Sequence, residues 1–240
     1  MNFVIPMAGY GRRFSEAGYE LPKMLIEVHG KTLLQWSIDS LPLKLCTNLV
    51  FIGLKEHEEK HHLSARIKLL YGNKFPVQFL FLGEPTRGQA ETVLKAEHLF
   101  IIKNPILIFN IDTYFKSSTL EGKLLRPDID GVLGAFNDRS DRFSYAAVGP
   151  DGHVSRVVEK EPISTNALTG LYHFKKTSDY LEIARRAITN NEKTKGEFYI
   201  APLYNKLIEK GNKFILDFVE EHYILGTPQE LAIFKESYLK

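Results

Sequence analysis

The N-terminal stretch constrains the fold of this chain more than any other segment. The apolar run Phe3, Val4 and Ile5 is typical of a buried parallel strand, and Gly9 and Gly11 follow it closely. Glycine tolerates positive φ and has no Cβ, so a chain that leaves a strand can fold tightly around an anion. The pattern therefore predicts a strand followed by a phosphate-binding loop.

Three cationic side chains accompany this loop, namely Arg12, Arg13 and Lys23. Two unit charges about 4 Å apart interact by about 4 kcal/mol at an effective dielectric constant near 20, whereas a helix terminus contributes about 0.3–1 kcal/mol. If a polyphosphate binds here, the cations should dominate. The loop is neither the dinucleotide fingerprint nor a P-loop, because it lacks a third glycine three residues past Gly11 and a following Gly-Lys-Ser/Thr.

Composition excludes several classes of partner. The chain has 31 Lys and Arg against 29 Asp and Glu, a formal net charge of +2, so we expect no nucleic-acid partner. The single cysteine, Cys46, excludes an intramolecular disulfide and fits a reducing cytosol. The longest apolar runs, such as 79–82 and 105–109, are too short to cross a bilayer. We therefore expect a cytoplasmic protein with no membrane partner.

Strand and helix patterns alternate through the first half of the chain. Strands are predicted at 3–5, 49–52, 77–82 and 106–109, and helices at 31–41, 57–71 and 89–99. After residue 130 the pattern predicts strands at 131–136, 145–148, 154–158, 170–174 and 213–218, helices at 178–190 and 198–210, and a closing helix from near Pro228. This order predicts one α/β domain over residues 1–240, with a mixed, mainly parallel sheet flanked by helices.

Asp112 stands just past the predicted strand 106–109. Open α/β sheets bind ligands at the carboxyl ends of their strands, so Asp112 and the glycine loop should share one rim of the sheet. A carboxylate there could hold a hard divalent cation that bridges phosphate oxygens. An N-cap or turn aspartate is the alternative.

These features resemble the signature of the sugar nucleotidyltransferases, or nucleotide-sugar pyrophosphorylases, in which Gly-x-Gly-x-Arg-Phe/Leu precedes Pro-Lys. The resemblance implies a Rossmann-like nucleotidyltransferase fold. It also implies that a phosphorylated acceptor attacks the α-phosphorus of a nucleoside triphosphate and that pyrophosphate leaves. Arg13 and Lys23 then become catalytic residues, while Arg12 stands where the family often has Ser or Thr.

The same resemblance assigns the nucleotide site. It comprises Ala8, Gly9, Gly11, Arg12, Gly88, Gln89 and Asp112. Gln89 begins the helix at which family members contact the nucleobase, and Gly88 would allow close approach. Asp112 matches the strand-end aspartate that holds Mg²⁺ in the family, so Mg²⁺ is the expected cofactor.

Three positions correspond to the acceptor site of the family. Lys160 lies in Glu-Lys-Glu-Pro, which resembles the Glu-Lys-Pro segment whose lysine holds the acceptor phosphate; otherwise it is a weak surface ion pair. Gly170 matches the Gly-Ile-Tyr strand, and Glu197 matches Gly-Glu-Phe/Tyr-Tyr, whose glutamate receives acceptor hydroxyls. Residues of about 1–130 would then form a nucleotide-binding half and those of about 131–240 an acceptor-binding half.

The sequence departs from the family at Ile224, where an aspartate ordinarily completes the metal site. Three alternatives follow. Asp112, phosphates and water could hold the metal, since Mg²⁺ often uses one or two carboxylates. Asp217, Glu220 or Glu221 could replace the missing ligand. Otherwise the protein is an inactive nucleotide-binding subunit.

The compact chain and its Leu-Gly-Thr-Pro ending resemble a subgroup found in bacterial capsule and surface-polysaccharide pathways. Within that subgroup, cytidylyltransferases join CTP to L-glutamine phosphate for capsular phosphoramidate. This resemblance favours CTP as nucleotide and L-glutamine phosphate as acceptor. A sugar 1-phosphate with UTP, dTTP or GTP remains open. A glycosyltransferase is disfavoured, because Asp112-Thr-Tyr114 is not the usual Asp-x-Asp.

Overall fold

The computed structural model describes residues 1–238, in which there are thirteen strands and nine α-helices. The strands are β1 (Asn2–Pro6), β2 (Glu27–Val28), β3 (Lys31–Thr32), β4 (Asn48–Leu54), β5 (Val77–Leu82), β6 (Ile106–Phe109), β7 (Thr113–Lys116), β8 (Gly131–Asn137), β9 (Ser144–Val148), β10 (Val154–Glu159), β11 (Asn166–Phe174), β12 (Phe214–Phe218) and β13 (Glu221–Ile224).

The helices surround these strands. They are α1 (Arg12–Glu16), α2 (Leu33–Asp39), α3 (Lys55–His61), α4 (Leu63–Tyr71), α5 (Gln89–Lys95), α6 (Leu120–Leu124), α7 (Thr177–Thr189), α8 (Tyr204–Ile208) and α9 (Pro228–Ser237). Within the described part of the chain, none of them combines the length and apolar character that crossing a membrane requires.

Nine strands form one mixed sheet in the order β10-β9-β11-β6-β1-β4-β5, with β8 beside β11 and β12 beside β8. The pairs of β1 with β4 and β6, of β4 with β5, and of β8 with β12 are parallel. Only β10 and β11 run against the other seven strands. The expectation of a mixed, mainly parallel α/β sheet is therefore confirmed.

The apolar run in β1 is explained by burial on both faces of the sheet. Phe3 and Ile5 pack into one core cluster together with Phe51 of β4. Val4 points to the opposite face and packs into a second cluster with Val50. Because helices cover both faces, successive side chains are all apolar instead of alternating with polar ones.

The predicted helix over 57–71 is wrong in one respect, since the segment forms two helices, α3 and α4. The break falls at His62, whose φ of 51° is in the left-handed region. Such a residue cannot continue an α-helix, although the apolar periodicity on each side is helical. Apolar periodicity alone therefore predicts one helix where the backbone forms two.

The predicted helix over 198–210 is shorter than expected. It contains a 3₁₀ turn at Ala201–Leu203 and only five α-helical residues in α8. The backbone of Phe198 is used elsewhere: its N–H donates to the carbonyl of Arg87, and its carbonyl accepts from the N–H of Ala90. These bonds fasten the segment before α8 to the start of α5.

The closing helix α9 begins at Pro228, as predicted. Thr227 caps it by accepting a hydrogen bond from the backbone N–H of Glu230 at 3.2 Å. The helix packs against α2 in an aromatic cluster, in which the rings of Trp36 and Phe234 lie 5.1 Å apart. Just before the helix, the N–H of Leu225 donates to the carbonyl of Asp112 at 2.7 Å, which holds this segment near the end of β6.

Candidate active site

A cavity of about 710 Å³ opens at the carboxyl ends of β1 and β6 and is lined by both halves of the chain. The predicted site residues that line it are Gly9, Gly11, Arg13, Lys23, Gln89, Asp112, Lys160, Gly170 and Glu197. Ala8, Arg12 and Gly88 do not line it. Residues separated by long stretches of sequence therefore meet around one volume.

The glycine loop lies directly against Lys23. Gly11 has a φ of 63°, and a Cβ at this position would lie 3.4 Å from Cβ of Lys23. Arg13 lines the cavity and forms no salt bridge with any residue from 1 to 238, so its charge is available to an anionic ligand. Arg12 instead lies over the ring of Tyr10, 6.0 Å from its centroid.

Lys23 and Asp112 form an ion pair at the centre of this region. The Lys23 Nζ lies 3.0 Å from Oδ2 of Asp112, and the two side chains are 19% and 34% exposed. The pair brings together a cation suited to phosphate and a carboxylate suited to a divalent cation. Each side chain holds the other in place within the cavity.

The second metal ligand proposed from sequence is not supplied by the three carboxylates considered there. None of them lines the cavity, and each has another partner. Asp217 accepts from Lys123 at 2.9 Å, Glu220 accepts from Ser118, and Glu221 pairs with Lys116 at 3.0 Å. In addition, no cluster of three or more His, Cys, Asp or Glu side chains suited to a metal occurs in the described residues.

Lys160 is oriented by a short hydrogen-bonded chain. Its Nζ donates to the Tyr199 hydroxyl at 2.6 Å, and that hydroxyl donates to Oε1 of Glu197 at 3.1 Å. The Tyr199 hydroxyl raises the pKa of Lys160, while burial raises the pKa of Tyr199. Lys160 therefore stays cationic at neutral pH and can pair with an anionic ligand.

Glu159 also lines the cavity. Sequence analysis considered this residue only as a flanking carboxylate in a weak surface ion pair with Lys160. It is buried, and its carboxylate accepts a hydrogen bond from the Ser144 hydroxyl. Burial raises the pKa of Glu159, and the bond from Ser144 opposes that shift. The alternation of side chains along β10 could have predicted this burial, because Glu159 lies two residues after the buried Val157 and therefore on the same face of the strand.

Gln89 belongs to a polar contact between the two halves. Its side-chain amide is hydrogen-bonded to that of Asn110, which packs against Gly170. A Cβ on Gly170 would lie 2.3 Å from Nδ2 of Asn110. Gly88 has a different role from the expected one. A Cβ there would lie 2.4 Å from N of Phe198, so the missing side chain makes room for the backbone at Phe198 and not for a ligand.

Sequence reasoning missed three further charged residues of the cavity, namely Asp141, Arg142 and Glu230. Arg142, in the loop between β8 and β9, forms a salt bridge with Oε1 of Glu230 in α9, 88 positions away. Oε2 of Glu230 is buried and has no hydrogen-bond partner among residues 1–238. Sequence analysis assigned Glu230 no role, because its segment was considered only for the aspartate missing at Ile224.

Comparison with known proteins identifies the family. Residues 3–223 match the family model described as nucleotidyl transferase. The chain belongs to the nucleotidyl transferase family. A nucleoside-diphosphate-sugar pyrophosphorylase from Vibrio cholerae, known from a crystal structure, has 35% sequence identity to this chain. The match has a TM-score of 0.83 and covers 98% of this chain and 100% of that chain.

More distant matches were found both by sequence and by structure. The bifunctional protein GlmU of Thermoanaerobacter pseudethanolicus is 24% identical over 97% of this chain and 50% of its own length. This nucleotidyl transferase thus spans about half the length of the curated relatives it matches. The inositol-1-phosphate CTP transferase of T. maritima is 14% identical with a TM-score of 0.75, covering 99% of this chain and 92% of that one.

Proposed function

We propose that this protein transfers a nucleotidyl group from a nucleoside triphosphate to a small phosphorylated acceptor and releases pyrophosphate. The observation that carries the proposal is the shared cavity. Arg13, Lys23 and Asp112 line it from the first half of the chain, and Lys160 and Glu197 line it from the second. Residues of about 1–130 would bind the nucleotide, and those of about 131–240 would bind the acceptor.

The chemistry requires alignment and charge neutralisation more than proton transfer. An anionic oxygen of the acceptor phosphate forms a bond to the α-phosphorus, the bond to the β-phosphate oxygen breaks, and pyrophosphate leaves with that electron pair. No general base is needed, because the attacking phosphate is already ionised. Preorganised cations that face the developing charge lower the barrier.

Each cation of the cavity has a place in this scheme. Arg13, which forms no salt bridge in the described structure, would neutralise the α- and leaving phosphates. Lys23 would steady the α-phosphate from its position against the glycine loop. Lys160 would hold the acceptor phosphate, since Tyr199 keeps it oriented and cationic.

Mg²⁺ is the cofactor that we propose, and the donor set fits it. Asp112 offers a carboxylate oxygen in the cavity, and hard oxygen donors are what Mg²⁺ prefers. When bound, Mg²⁺ would neutralise charge on the triphosphate. The ion pair of Asp112 with Lys23 would then be replaced, which leaves the lysine to contact phosphate.

The proposed substrates are CTP and L-glutamine phosphate, in the synthesis of a capsule or surface-polysaccharide precursor. Glu159 and Glu197 line the cavity and could accept hydrogen bonds from an amine or amide of the acceptor. A sugar 1-phosphate with UTP, dTTP or GTP is supported equally. Carboxylates also accept from sugar hydroxyls, and the Vibrio cholerae relative is described as a nucleoside-diphosphate-sugar pyrophosphorylase.

Pyrophosphate release tests these alternatives. Four nucleoside triphosphates would be crossed with L-glutamine phosphate and a panel of sugar 1-phosphates in the presence of Mg²⁺, and products identified by mass spectrometry. Release with CTP and L-glutamine phosphate alone would support the narrow proposal. Release with a sugar phosphate would support the pyrophosphorylase alternative. Nucleotide binding without release from any pair would contradict the proposed transfer reaction and favour a binding-only protein.

A further inference from the structure

In the proposed metal site, Ile224 stands where the family resemblance implies an aspartate, and the structure offers another carboxylate for that role. Ile224 lines the cavity beside Gly226 and Glu230. Glu230 is the remaining carboxylate of this terminal segment that reaches the cavity within the described residues. A second metal ligand here presupposes the proposed Mg²⁺-dependent transfer.

Glu230 and Asp112 border the same small volume above Gly226. A Cβ built on Gly226 would lie 3.4 Å from Oε2 of Glu230 and 3.7 Å from Oδ2 of Asp112. The backbone joins these elements as well, because the N–H of Leu225 donates to the carbonyl of Asp112 at 2.7 Å. The absence of a side chain at Gly226 thus leaves space between two carboxylates.

The two oxygens of the Glu230 carboxylate have different surroundings. Oε1 is paired with Arg142, whereas Oε2 is buried without a hydrogen-bond partner in residues 1–238. A buried carboxylate oxygen without a donor is costly, because it has lost its water and gained nothing in return. A cation that bound beside Asp112 would satisfy it.

The local structure places this side chain with little freedom. Thr227 caps α9 through the backbone N–H of Glu230, and Pro228 starts the helix. The Glu230 side chain is only 13% exposed. A ligand that is already oriented loses little conformational entropy when it binds a metal.

We infer that Glu230 supplies the second carboxylate of the Mg²⁺ site, together with Asp112, in place of the missing aspartate at Ile224. Both ligands are oxygen donors, and Mg²⁺ commonly uses one or two carboxylates along with phosphate oxygens and water. Arg142 balances the charge of Glu230 when no metal is bound.

Mn²⁺ binding measured by electron paramagnetic resonance tests this assignment without relying on turnover. The titration would use Mn²⁺ with a non-hydrolysable CTP analogue, and would be repeated with the UTP analogue. Glu230→Gln keeps the size of the side chain, the helix cap and a hydrogen bond to Arg142, so it removes mainly the charge. We expect it to weaken Mn²⁺ binding at least about tenfold, and Asp112→Asn to weaken it further.

Glu221→Gln is the matched control, because Glu221 lies outside the cavity and pairs with Lys116. It should leave Mn²⁺ affinity unchanged. In the Glu230→Gln background, Ile224→Asp should restore affinity by returning a carboxylate to the family position. Thermal unfolding would establish that each variant is folded.

The outcomes separate the two proposals. Wild-type affinity in Glu230→Gln, with loss in Asp112→Asn, would overturn the role of Glu230 and leave the proposed transfer reaction intact. No Mn²⁺ binding by the wild type with either analogue would overturn the metal site, and pyrophosphate release without added metal would then decide whether transfer also fails.

Discussion

Lys23 and Asp112 show how single residues of the cavity balance one another. The two side chains are partly buried and lie 3.0 Å apart, so neither charge is left alone in the absence of substrate. Phosphate and a divalent cation can replace this internal pair with external partners. Removal of the lysine would therefore weaken the charge stabilisation of the reaction without removing a residue of the hydrophobic core.

Lys23→Ala is predicted to lower kcat by about three orders of magnitude, since a cation facing the developing charge is lost. Steady-state pyrophosphate release would measure the effect. Lys60→Ala, at an exposed lysine paired with Glu56, is the control and should retain wild-type turnover. Near-normal kinetics in Lys23→Ala, with an unchanged unfolding transition, would contradict the proposed mechanism.

His173 makes the stability of the protein depend on pH. It is 2% exposed on β11, and burial lowers its pKa from 6.5 to about 3. The unfolded chain therefore binds a proton below pH 6.5 that the folded protein does not bind. As pH falls from 6.5 towards about 3, this residue lowers the free energy of unfolding by up to about 1.4 kcal/mol per pH unit.

His173→Leu should remove this contribution. As pH falls, the free energy of unfolding should therefore decrease less for the variant than for the wild type. Urea unfolding at several pH values between 7 and 4 would measure it, for as long as unfolding remains reversible. His98→Leu, at an exposed position, is the comparison. Parallel curves for wild type and His173→Leu would show that His173 is protonated in the folded state.

At the scale of elements, β11 connects the two parts of the sheet and shapes the cavity. It pairs with β6, β8 and β9, and its register to β8 shifts between Leu168 and Tyr172. Gly170 lies within that shift with a φ of 87°. The irregularity lets Asn110 approach the strand and hold Gln89, so one strand contributes both pairing and pocket shape.

Gly170→Ala is predicted to cost stability and to alter substrate binding. Positive φ alone costs an alanine about 1–2 kcal/mol, and the new Cβ must also displace the Asn110 amide from 2.3 Å. Gly211→Ala is a matched control, because its φ is 88° and nothing lies within 4 Å of the added Cβ.

Both variants should lose a similar amount of stability, because both place an alanine at positive φ. Only Gly170→Ala should raise the KM for the nucleoside triphosphate, by about tenfold, because the hydrogen bond between Asn110 and Gln89 is broken. Chemical unfolding and steady-state kinetics would measure the two effects. Equal KM values in the two variants would exclude a role for this contact in binding substrate.

At the scale of the whole molecule, the cavity lies where the two halves of the chain meet at one edge of the sheet. Seven of the nine strands of the main sheet run in one direction, so the carboxyl ends of β1 and β6 lie together. Lys160 and Glu197, the proposed acceptor residues, line the same cavity from the other half. If the two proposed subsites share this cavity, a substitution in one should affect the binding of one substrate and spare the other.

Lys160→Ala should therefore affect the acceptor and spare the nucleotide. We predict an increase in acceptor KM of about 100-fold, because a charge-assisted contact is lost, and nearly unchanged nucleotide affinity. Kinetics would give the first quantity and calorimetry with a triphosphate the second. Lys210→Ala, at an exposed lysine paired with Glu182, should change neither. A comparable loss of nucleotide affinity would contradict the division into two subsites.

Local sequence patterns predicted much of this arrangement. The strand that ends before Gly9 and the strand that ends before Asp112 were recognisable from short apolar runs, and both residues line the cavity. Thr227 and Pro228 predicted the start of the closing helix at the position where the structure has it. Each of these features depends on neighbours a few positions away, which is the range over which propensity and periodicity act.

The sequence by itself determined the α/β class, the order of the main elements and the candidate site residues that follow strand ends. Only the tertiary structure decided which charges meet. It placed Glu230 beside Asp112 and paired it with Arg142, and it gave Asp217, Glu220 and Glu221 partners outside the cavity. These contacts join distant segments through sheet register and helix packing, and no local period in the sequence records which distant side chains will share a volume.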